Sequence, residues 1–208
     1  MHLRQEDFSS LFSMAEFVEA CDRAFRLYGR GEADNPPRAE RAEPGYFRLD
    51  MPAEWPGKYR ARKIIEDYSD VKEGQLGERR AAIELEDVQR GTELSLDADY
   101  ITDMRTGAAG ALGIKYLASK SVARLGILGT GRVAHALALA ADHVFDLEEI
   151  RVTSRRAENR ERFAREVGGQ LTAPLRMAGD KEACIEGADA LALAVPTPTP
   201  ILDLDEVG

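Results

Sequence analysis

The sequence of 208 residues predicts an α/β protein, in which a mixed α+β domain is followed by a parallel, doubly wound sheet. Three observations support this fold class. Residues before about 120 combine an amphipathic helix with extended and hairpin-like segments, whereas later residues alternate strictly between short apolar strands and helices. A glycine-rich turn joins the first of those strands to its helix. We therefore predict two domains, at 1–120 and 121–208.

Composition and charge narrow the classes of function. The net charge is −9, so nucleic-acid binding, which needs a basic surface, is not expected. No apolar run approaches the roughly 20 residues that cross a bilayer, and no membrane partner is expected. Two cysteines and three histidines give neither a disulfide framework nor a metal-ligand spacing. We expect a cytoplasmic protein that binds no metal.

The first domain is expected to begin with a helix and to continue as strands. Ser13 opens that helix with the S-x-x-E pattern of a capping box, and Gly29 is expected to end it. Prolines between residues 30 and 60 disfavour a helix and favour extended segments. A strand is then expected around 63–65, and a β-hairpin over 82–96.

A second long helix is expected from Ile101 to about Ser119, and it carries an unusual row of glycines. Gly107, Gly110 and Gly113 recur at every third residue, at a cost of about 1 kcal/mol each relative to alanine. Two interpretations remain open at this point. The glycines allow tight packing against another helix, or a cofactor or substrate lies against the N-terminal end of this helix.

Residues after 120 are expected to form four strands and three helices in strict alternation. Such alternation is typical of parallel strands joined by right-handed crossover helices. The expected strands are 123–128, 149–154, 171–177 and 188–195, and the expected helices are 132–145, 157–167 and 181–186.

The turn after the strand at 123–128 has the pattern G-x-G-x-x-A, which is typical of a Rossmann dinucleotide site. The first glycine permits the tight turn, the second lets a pyrophosphate approach the backbone, and the alanine allows close helix packing. The N-terminus of the next helix favours phosphate. The competing interpretation is a glycine-rich turn in another α/β fold. The residues expected to bind the dinucleotide are Gly129, Thr130, Gly131, Arg132 and Val133.

The end of the second strand in this domain bears on the choice between NAD and NADP. An NAD site usually places an acidic residue there to bind the ribose hydroxyl. This chain instead has Ser154, Arg155 and Arg156, whose charge and fork geometry suit a 2′-phosphate. The alternative is that both arginines are merely solvated at the start of a helix. The cofactor is expected to be NADP or NAD, with NADP favoured.

The joint between the domains resembles the ornithine cyclodeaminase/mu-crystallin family, and the resemblance covers essentially the whole chain. Members carry a T-x-x-R-T-A-A helix before an L-x-x-x-G-x-G turn. The matching segments here are Thr102-Asp103-Met104-Arg105-Thr106-Gly107-Ala108 and Leu125-Gly126-Ile127-Leu128-Gly129-Thr130-Gly131, with weaker support from Pro36-Pro37-Arg38, Met51-Pro52-Ala53 and Lys63-Ile64-Ile65.

The resemblance implies a substrate site and a cofactor. Arg38, Lys63 and Arg105 match the family residues that gather around the carboxylate and reacting carbon of an amino or imino acid. The carboxylate suits arginine, and the lysine suits proton transfer. Thr106 and Val195 are added to the expected cofactor contacts. Members pair through their first domains, so a homodimer through residues before about 120 is expected.

The family contains several activities, and three hypotheses about the function of this chain remain open. One is an ornithine cyclodeaminase, which converts ornithine to proline with loss of ammonia. The second is a ketimine or imino-acid reductase, or an amino-acid dehydrogenase, which stops at one hydride transfer. The third is a non-catalytic, crystallin-like NADP-binding protein or an inactive fragment.

Three departures from the family bear on these hypotheses. Leu49 stands where many cyclodeaminases carry an acidic residue, with Asp50 one place off, and Glu78 stands where many members have threonine. The sequence also holds about four of the usual six Rossmann strands. We therefore expect a C-terminally truncated member with an incomplete Rossmann sheet, which binds dinucleotide weakly and turns over little.

Overall fold

The computed structural model describes residues 1–68, 79–195, 197 and 199–206. Glu78, one of the departures from the family pattern, lies outside the described residues. No described helix is both long and apolar enough to cross a membrane.

The chain divides into two compact units by the proximity of its Cα atoms. The first comprises Met1–Ser13 and Asp22–Thr102, and the second comprises Met14–Cys21 and Asp103–Gly208. The division thus falls between Thr102 and Asp103, inside a helix, whereas the sequence suggests a boundary near residue 120. That boundary stays a prediction, because a unit defined by proximity need not end where a domain ends.

The described residues of the first part of the chain form a six-stranded sheet and three helices. Two of these helices, α2 and α3, contribute residues to both units. The bounds are β1 His2–Leu3, α1 Gln5–Phe8, α2 Met14–Gly29, β2 Ala39–Glu43, β3 Tyr46–Trp55, β4 Tyr59–Tyr68, β5 Arg79–Asp87, β6 Thr92–Asp97 and α3 Asp99–Leu117. The sheet order is β1-β6-β5-β4-β3-β2, and every pairing is antiparallel except the parallel pair β1–β6.

The structure confirms the elements expected in this part of the chain. Helix α2 ends at Gly29, and the proline-rich region contributes β2 and β3 rather than a helix. The expected hairpin is β5–β6, in which Ile83 pairs with Leu96. Gly91 lies in the turn with a φ of +63°, a conformation that favours glycine.

The two faces of this sheet differ in polarity because side chains alternate along each strand. Lys63 pairs with Met51 on β3 and with Ile83 on β5, so its neighbours on that face are apolar. The opposite face carries charge. There Asp50 accepts hydrogen bonds of 2.7 and 2.8 Å from Nε of Arg62, and these bonds hold the pKa of Asp50 below its usual range.

The second part of the chain forms a four-stranded parallel sheet with its helices. The bounds are β7 Arg124–Leu128, α4 Arg132–Val144, β8 Glu149–Thr153, α5 Ala157–Val167, β9 Leu175–Met177, α6 Lys181–Ile185 and β10 Ala190–Leu193. The order β10-β7-β8-β9 is that of the first four strands of a Rossmann sheet. The predicted alternation is confirmed, although β9 is shorter than the expected 171–177.

The core of the second unit explains why the sequences of its central strands are continuous apolar runs. Ile127 of β7 and both Ile150 and Val152 of β8 are fully buried, because helices cover a parallel sheet. The small residues of α4 let the helix lie close to the strands, and five of its alanines are almost completely buried: Ala134, Ala136, Ala138, Ala140 and Ala141.

The structure distinguishes the three glycines of α3. A Cβ built on Gly107 would lie 2.3 Å from the carbonyl carbon of Ala136, and one on Gly110 would lie 2.7 Å from Cδ1 of Leu137. A Cβ on Gly113 would meet no atom within 4 Å among the residues that the structure describes. The interpretation as tight helix packing is therefore confirmed for Gly107 and Gly110, whose partner is α4.

Asp189 ties the beginning of β7 to the segment that leads into β10. Its carboxylate accepts hydrogen bonds from the backbone N–H groups of Ala123 and Arg124, at 3.0 and 2.8 Å. Its other oxygen pairs with Nζ of Lys120 at 2.8 Å. The lysine and the two backbone donors together lower the pKa of Asp189 from 3.8 to about 2.

This network predicts a pH-dependent contribution to stability. Because the folded pKa lies below the unfolded value, the contribution is complete above about pH 4 and is lost as the pH falls towards 2. The variant Asp189→Asn should be less stable than the unaltered chain at pH 6, and the difference should shrink between pH 4 and 2. Urea unfolding of both proteins across this range measures it. A difference that is constant with pH would contradict the assignment.

Candidate functional site

The glycine turn between β7 and α4 has a backbone that only glycine accommodates. Gly129 has a φ of +126°, and its N–H donates to the carbonyl of Thr153 at 2.8 Å. A Cβ on Gly129 would lie 2.3 Å from the carbonyl oxygen of Ala194 and 3.2 Å from Cγ1 of Val195. The chain is thus drawn tightly across the ends of three neighbouring strands, and Val195 lies beside the turn.

Gly131 serves a different purpose at the start of α4. It is the N-cap residue, its carbonyl accepts from the N–H of His135 at 3.0 Å, and a Cβ built on it would meet no atom of the described residues within 4 Å. The space that a side chain would take is therefore open. The first N–H groups of a helix have no partners within it and carry partial positive charge. The turn suits a dinucleotide pyrophosphate, and the residues present fit that group.

Helix α3 lies alongside the first turn of α4. Gly107 approaches Ala136, and one turn earlier on both helices Asp103 pairs with Arg132, with 2.9 Å between Oδ2 and Nε. Thr106 lies between these two contacts along α3. The stretch of α3 that carries the Arg-Thr motif therefore flanks the glycine turn. Asp103 was not predicted from the sequence, because its contact with Arg132 joins positions that are 29 residues apart.

The end of β8 presents the residues expected to distinguish NADP from NAD. Arg155 and Arg156 are both exposed, and Arg156 is the N-cap residue of α5. Nη1 of Arg160 donates to the carbonyl of Ser154, which brings a third guanidinium to this strand end. Arg160 was not predicted from the sequence, yet its spacing of four residues from Arg156 on a helix indicates proximity.

Lys63 lies near the middle of the first sheet and contacts α3. Its Nζ donates to Oγ1 of Thr102 at 3.2 Å. Arg38 is exposed and immediately precedes β2, whose first residue Ala39 pairs with Asp50. The pairing of β2 with β3 begins at Ala39, so Arg38 lies just outside the sheet.

Arg105 belongs to the second unit and is exposed. Its backbone carbonyl accepts from Sγ of Cys21 at 3.6 Å, which fixes this turn of α3 against α2. On α3, Asp103 precedes Arg105 by two residues and Thr106 follows it directly. Arg105, Thr106 and Asp103 thus occupy a single helical turn.

Comparisons with known proteins identify the family and the fold of the chain. The sequence model of the ornithine cyclodeaminase/mu-crystallin family matches residues 1–208. Alanine dehydrogenase of Archaeoglobus fulgidus is 32% identical over 208 residues, which are 99% of this chain and 63% of that protein.

Two solved structures extend the likeness to three dimensions. An archaeal alanine dehydrogenase dimer with bound NAD has a TM-score of 0.84 at 29% identity, over 100% of this chain and 64% of that one. The Thermococcus litoralis Δ1-pyrroline-2-carboxylate reductase, in complex with NADH and L-proline, has a TM-score of 0.79 at 29% identity. That match covers 93% of this chain and 61% of the reductase.

The chain therefore spans somewhat less than two thirds of the length of these relatives. Within that span the helix with the Arg-Thr motif, the glycine turn and the Rossmann strand order all occur together. From the match of the family model across all 208 residues, this chain belongs to the ornithine cyclodeaminase/mu-crystallin family.

Proposed function

We propose that this chain provides the dinucleotide site and catalytic residues of an NAD(P)-dependent oxidoreductase acting on an α-amino or α-imino acid. The observation that carries the proposal is the turn at Gly129 and Gly131, where one glycine is enclosed by protein and the other opens onto a helix N-terminus. The relatives support the reaction class, since one is named a dehydrogenase of the amino acid alanine and another a reductase of the cyclic imino acid Δ1-pyrroline-2-carboxylate.

The cofactor is assigned to residues of the second unit. The backbone of Gly129, Thr130 and Gly131 would hold the pyrophosphate, with Arg132 and Val133 in the first turn of α4. Thr106 and Val195 flank that turn. When bound, the nicotinamide supplies a hydride to the imino carbon, or accepts one from the amino acid.

The substrate is assigned to three basic residues. A guanidinium grips a carboxylate with two parallel hydrogen bonds, so Arg105 and Arg38 orient the substrate and thereby its reacting carbon. Lys63 handles the proton, because reduction of an imine needs one proton at nitrogen for each hydride at carbon. The hydrogen bond from Lys63 to Thr102 holds the ammonium at a defined point of α3.

The side chains around Lys63 favour simple imine reduction over cyclodeamination. Leu49 lies on the same sheet face as Lys63, whereas Asp50 lies on the opposite face and is engaged by Arg62. A carboxylate from β3 is therefore not available near Lys63 to bind the distal ammonium of a diamino acid. The arginines after Ser154 point the same way, since NADPH usually drives reductions.

One observation keeps cyclodeamination as the second candidate. Glu40 pairs directly with Leu49 across β2 and β3, and it therefore lies on the face that carries Lys63. If Glu40 replaces the missing acidic residue, ornithine should be consumed and Glu40→Gln should abolish that reaction while sparing reduction of cyclic imino acids. Turnover of cyclic imino acids alone would decide for the reductase.

Dinucleotide affinity tests the proposed function and the cofactor preference together. NADPH should bind more tightly than NADH, and Arg155→Ala with Arg156→Ala should remove about 1–3 kcal/mol of that preference. Arg165→Ala is the matched control, because Arg165 lies in the last turn of α5, roughly 13 Å along the helix from its start. Fluorescence titration gives both affinities. Equal affinities in the unaltered chain would overturn the NADP preference, and no binding of either would overturn the function.

A homodimer formed through residues before about 120 is the proposed assembly. The family relationship supports it, since one structural relative is described as a dimer. Sedimentation at micromolar concentration should give a dimer whose mass is independent of added dinucleotide. A well-folded monomer would contradict this assembly.

A separate assay of turnover tests the hypothesis of a non-catalytic protein. Dinucleotide binding with no turnover of any amino or imino acid would favour that hypothesis.

A further inference from the structure

Asp103 is a carboxylate placed beside a proposed anion site, which is an unexpected position for a negative charge. Its side chain is only 16% exposed, and it contacts Arg132, the first residue of α4 after the glycine turn. A lone carboxylate near the start of this helix would repel a bound pyrophosphate. We therefore ask whether Asp103 favours pyrophosphate binding in another way, by more than its charge disfavours it.

The contact with Arg132 suggests such a role. Asp103 engages Nε, at 2.9 Å, while 68% of the Arg132 side chain is exposed. Exposed arginine side chains sample many rotamers, and an ion pair at one end of the guanidinium restricts them. The helix that carries this carboxylate lies close to α4, because Gly107 approaches the backbone of Ala136 one turn further along.

We propose that Asp103 is a positioning residue, which orients the Arg132 guanidinium towards the dinucleotide pyrophosphate. This inference rests on the proposed dinucleotide site. Arg132 has two tasks in this arrangement, because it neutralises the Asp103 charge and contacts the phosphates. Asp103 touches neither substrate nor cofactor and acts only through Arg132.

The sign of one substitution separates orientation from simple charge. If Asp103 acted only as a nearby negative charge, Asp103→Asn would strengthen the binding of a phosphate ligand. Orientation instead requires Asp103→Asn to weaken binding of ADP and NADPH, by roughly three- to tenfold, and Arg132→Ala to weaken it roughly 10- to 100-fold. In the Arg132→Ala background, Asp103→Asn should reverse its effect and tighten binding, because the Asp103 carboxylate there lacks the Arg132 guanidinium.

Calorimetric titration of the 208-residue chain with ADP, NADPH and adenosine provides the measurement. Adenosine lacks phosphates, so its affinity should change in none of these variants. Arg132→Lys keeps the charge but not the Nε contact, and it should bind ADP nearly as weakly as Arg132→Ala does. This variant also tests the proposal if Asp103→Asn does not fold.

The possible results test the positioning role of Asp103 separately from the proposed dinucleotide site. Tighter ADP binding by Asp103→Asn in the unaltered background, or unchanged ADP binding by Arg132→Lys, overturns the positioning role and leaves the dinucleotide site standing. Failure of the unaltered chain to bind ADP, NADPH and NADH overturns the dinucleotide site and the positioning role together.

Discussion

Gly107→Ala should destabilise the second unit by about 3 kcal/mol, one of the largest effects of any single methyl group in this chain. The added carbon would lie between 2.3 and 2.6 Å from backbone atoms of Ala136 and Leu137. Backbone atoms cannot rotate away as a side chain can, so α3 and α4 would have to move apart. The gain in helix propensity, about 1 kcal/mol, offsets only part of this cost.

Gly113→Ala is the matched control for that prediction. It lies on the same helix, two turns further on, and its Cβ position is open to 4 Å. The substitution should therefore stabilise the chain by up to about 1 kcal/mol, through helix propensity alone. Denaturant unfolding of the two variants should show changes of opposite sign. An unchanged free energy of unfolding for Gly107→Ala would contradict the close approach of α3 to α4.

Lys63→Met should lower kcat by about 10²- to 10⁴-fold. The reason is the loss of the group proposed to deliver the proton to the imine nitrogen. Methionine fits the site, since the cross-strand neighbours are Met51 and Ile83, so the fold should be retained. The assay follows NADPH absorbance with a cyclic imino acid. Unreduced kcat would overturn the role of Lys63.

Two further variants sharpen this test. Lys115→Met removes an exposed lysine from α3 and should leave kcat unchanged. Arg105→Lys should mainly raise KM, because a lysine cannot grip a carboxylate with two parallel hydrogen bonds. A split in which Lys63 governs kcat and Arg105 governs KM would separate proton transfer from substrate binding. Full activity of Arg105→Lys would overturn the assigned carboxylate contact.

Much of the fold was predictable because its signals are local. The hairpin β5–β6 follows from alternating apolar residues around Gly91, and the strands of the second unit follow from short apolar runs between helices. The turn at Gly129 was predictable for the same reason, since its residues are consecutive in the sequence. Such patterns depend on backbone sterics and on periodicity, which operate over a few residues.

The candidate site was predictable only in part. Residues that match a contiguous motif were found, including Gly131, Arg105 and Thr106. Asp103 and Arg160 were missed as partners, because their importance lies in contacts with Arg132 and with the Ser154 carbonyl. Asp103 and Arg132 are 29 positions apart in the chain, and no local pattern indicates that they meet.

The sequence by itself determined the α/β class, the order of strands and helices after residue 120, and the family of this chain. Only the tertiary structure decided which glycines of α3 are indispensable. Gly107 and Gly113 are both glycines of one helix, but their surroundings differ. It also decided that Asp50 faces away from Lys63 while Leu49 and Glu40 share its face. The physical reason is that propensity acts along the chain, whereas packing and charge pairing depend on which surfaces meet.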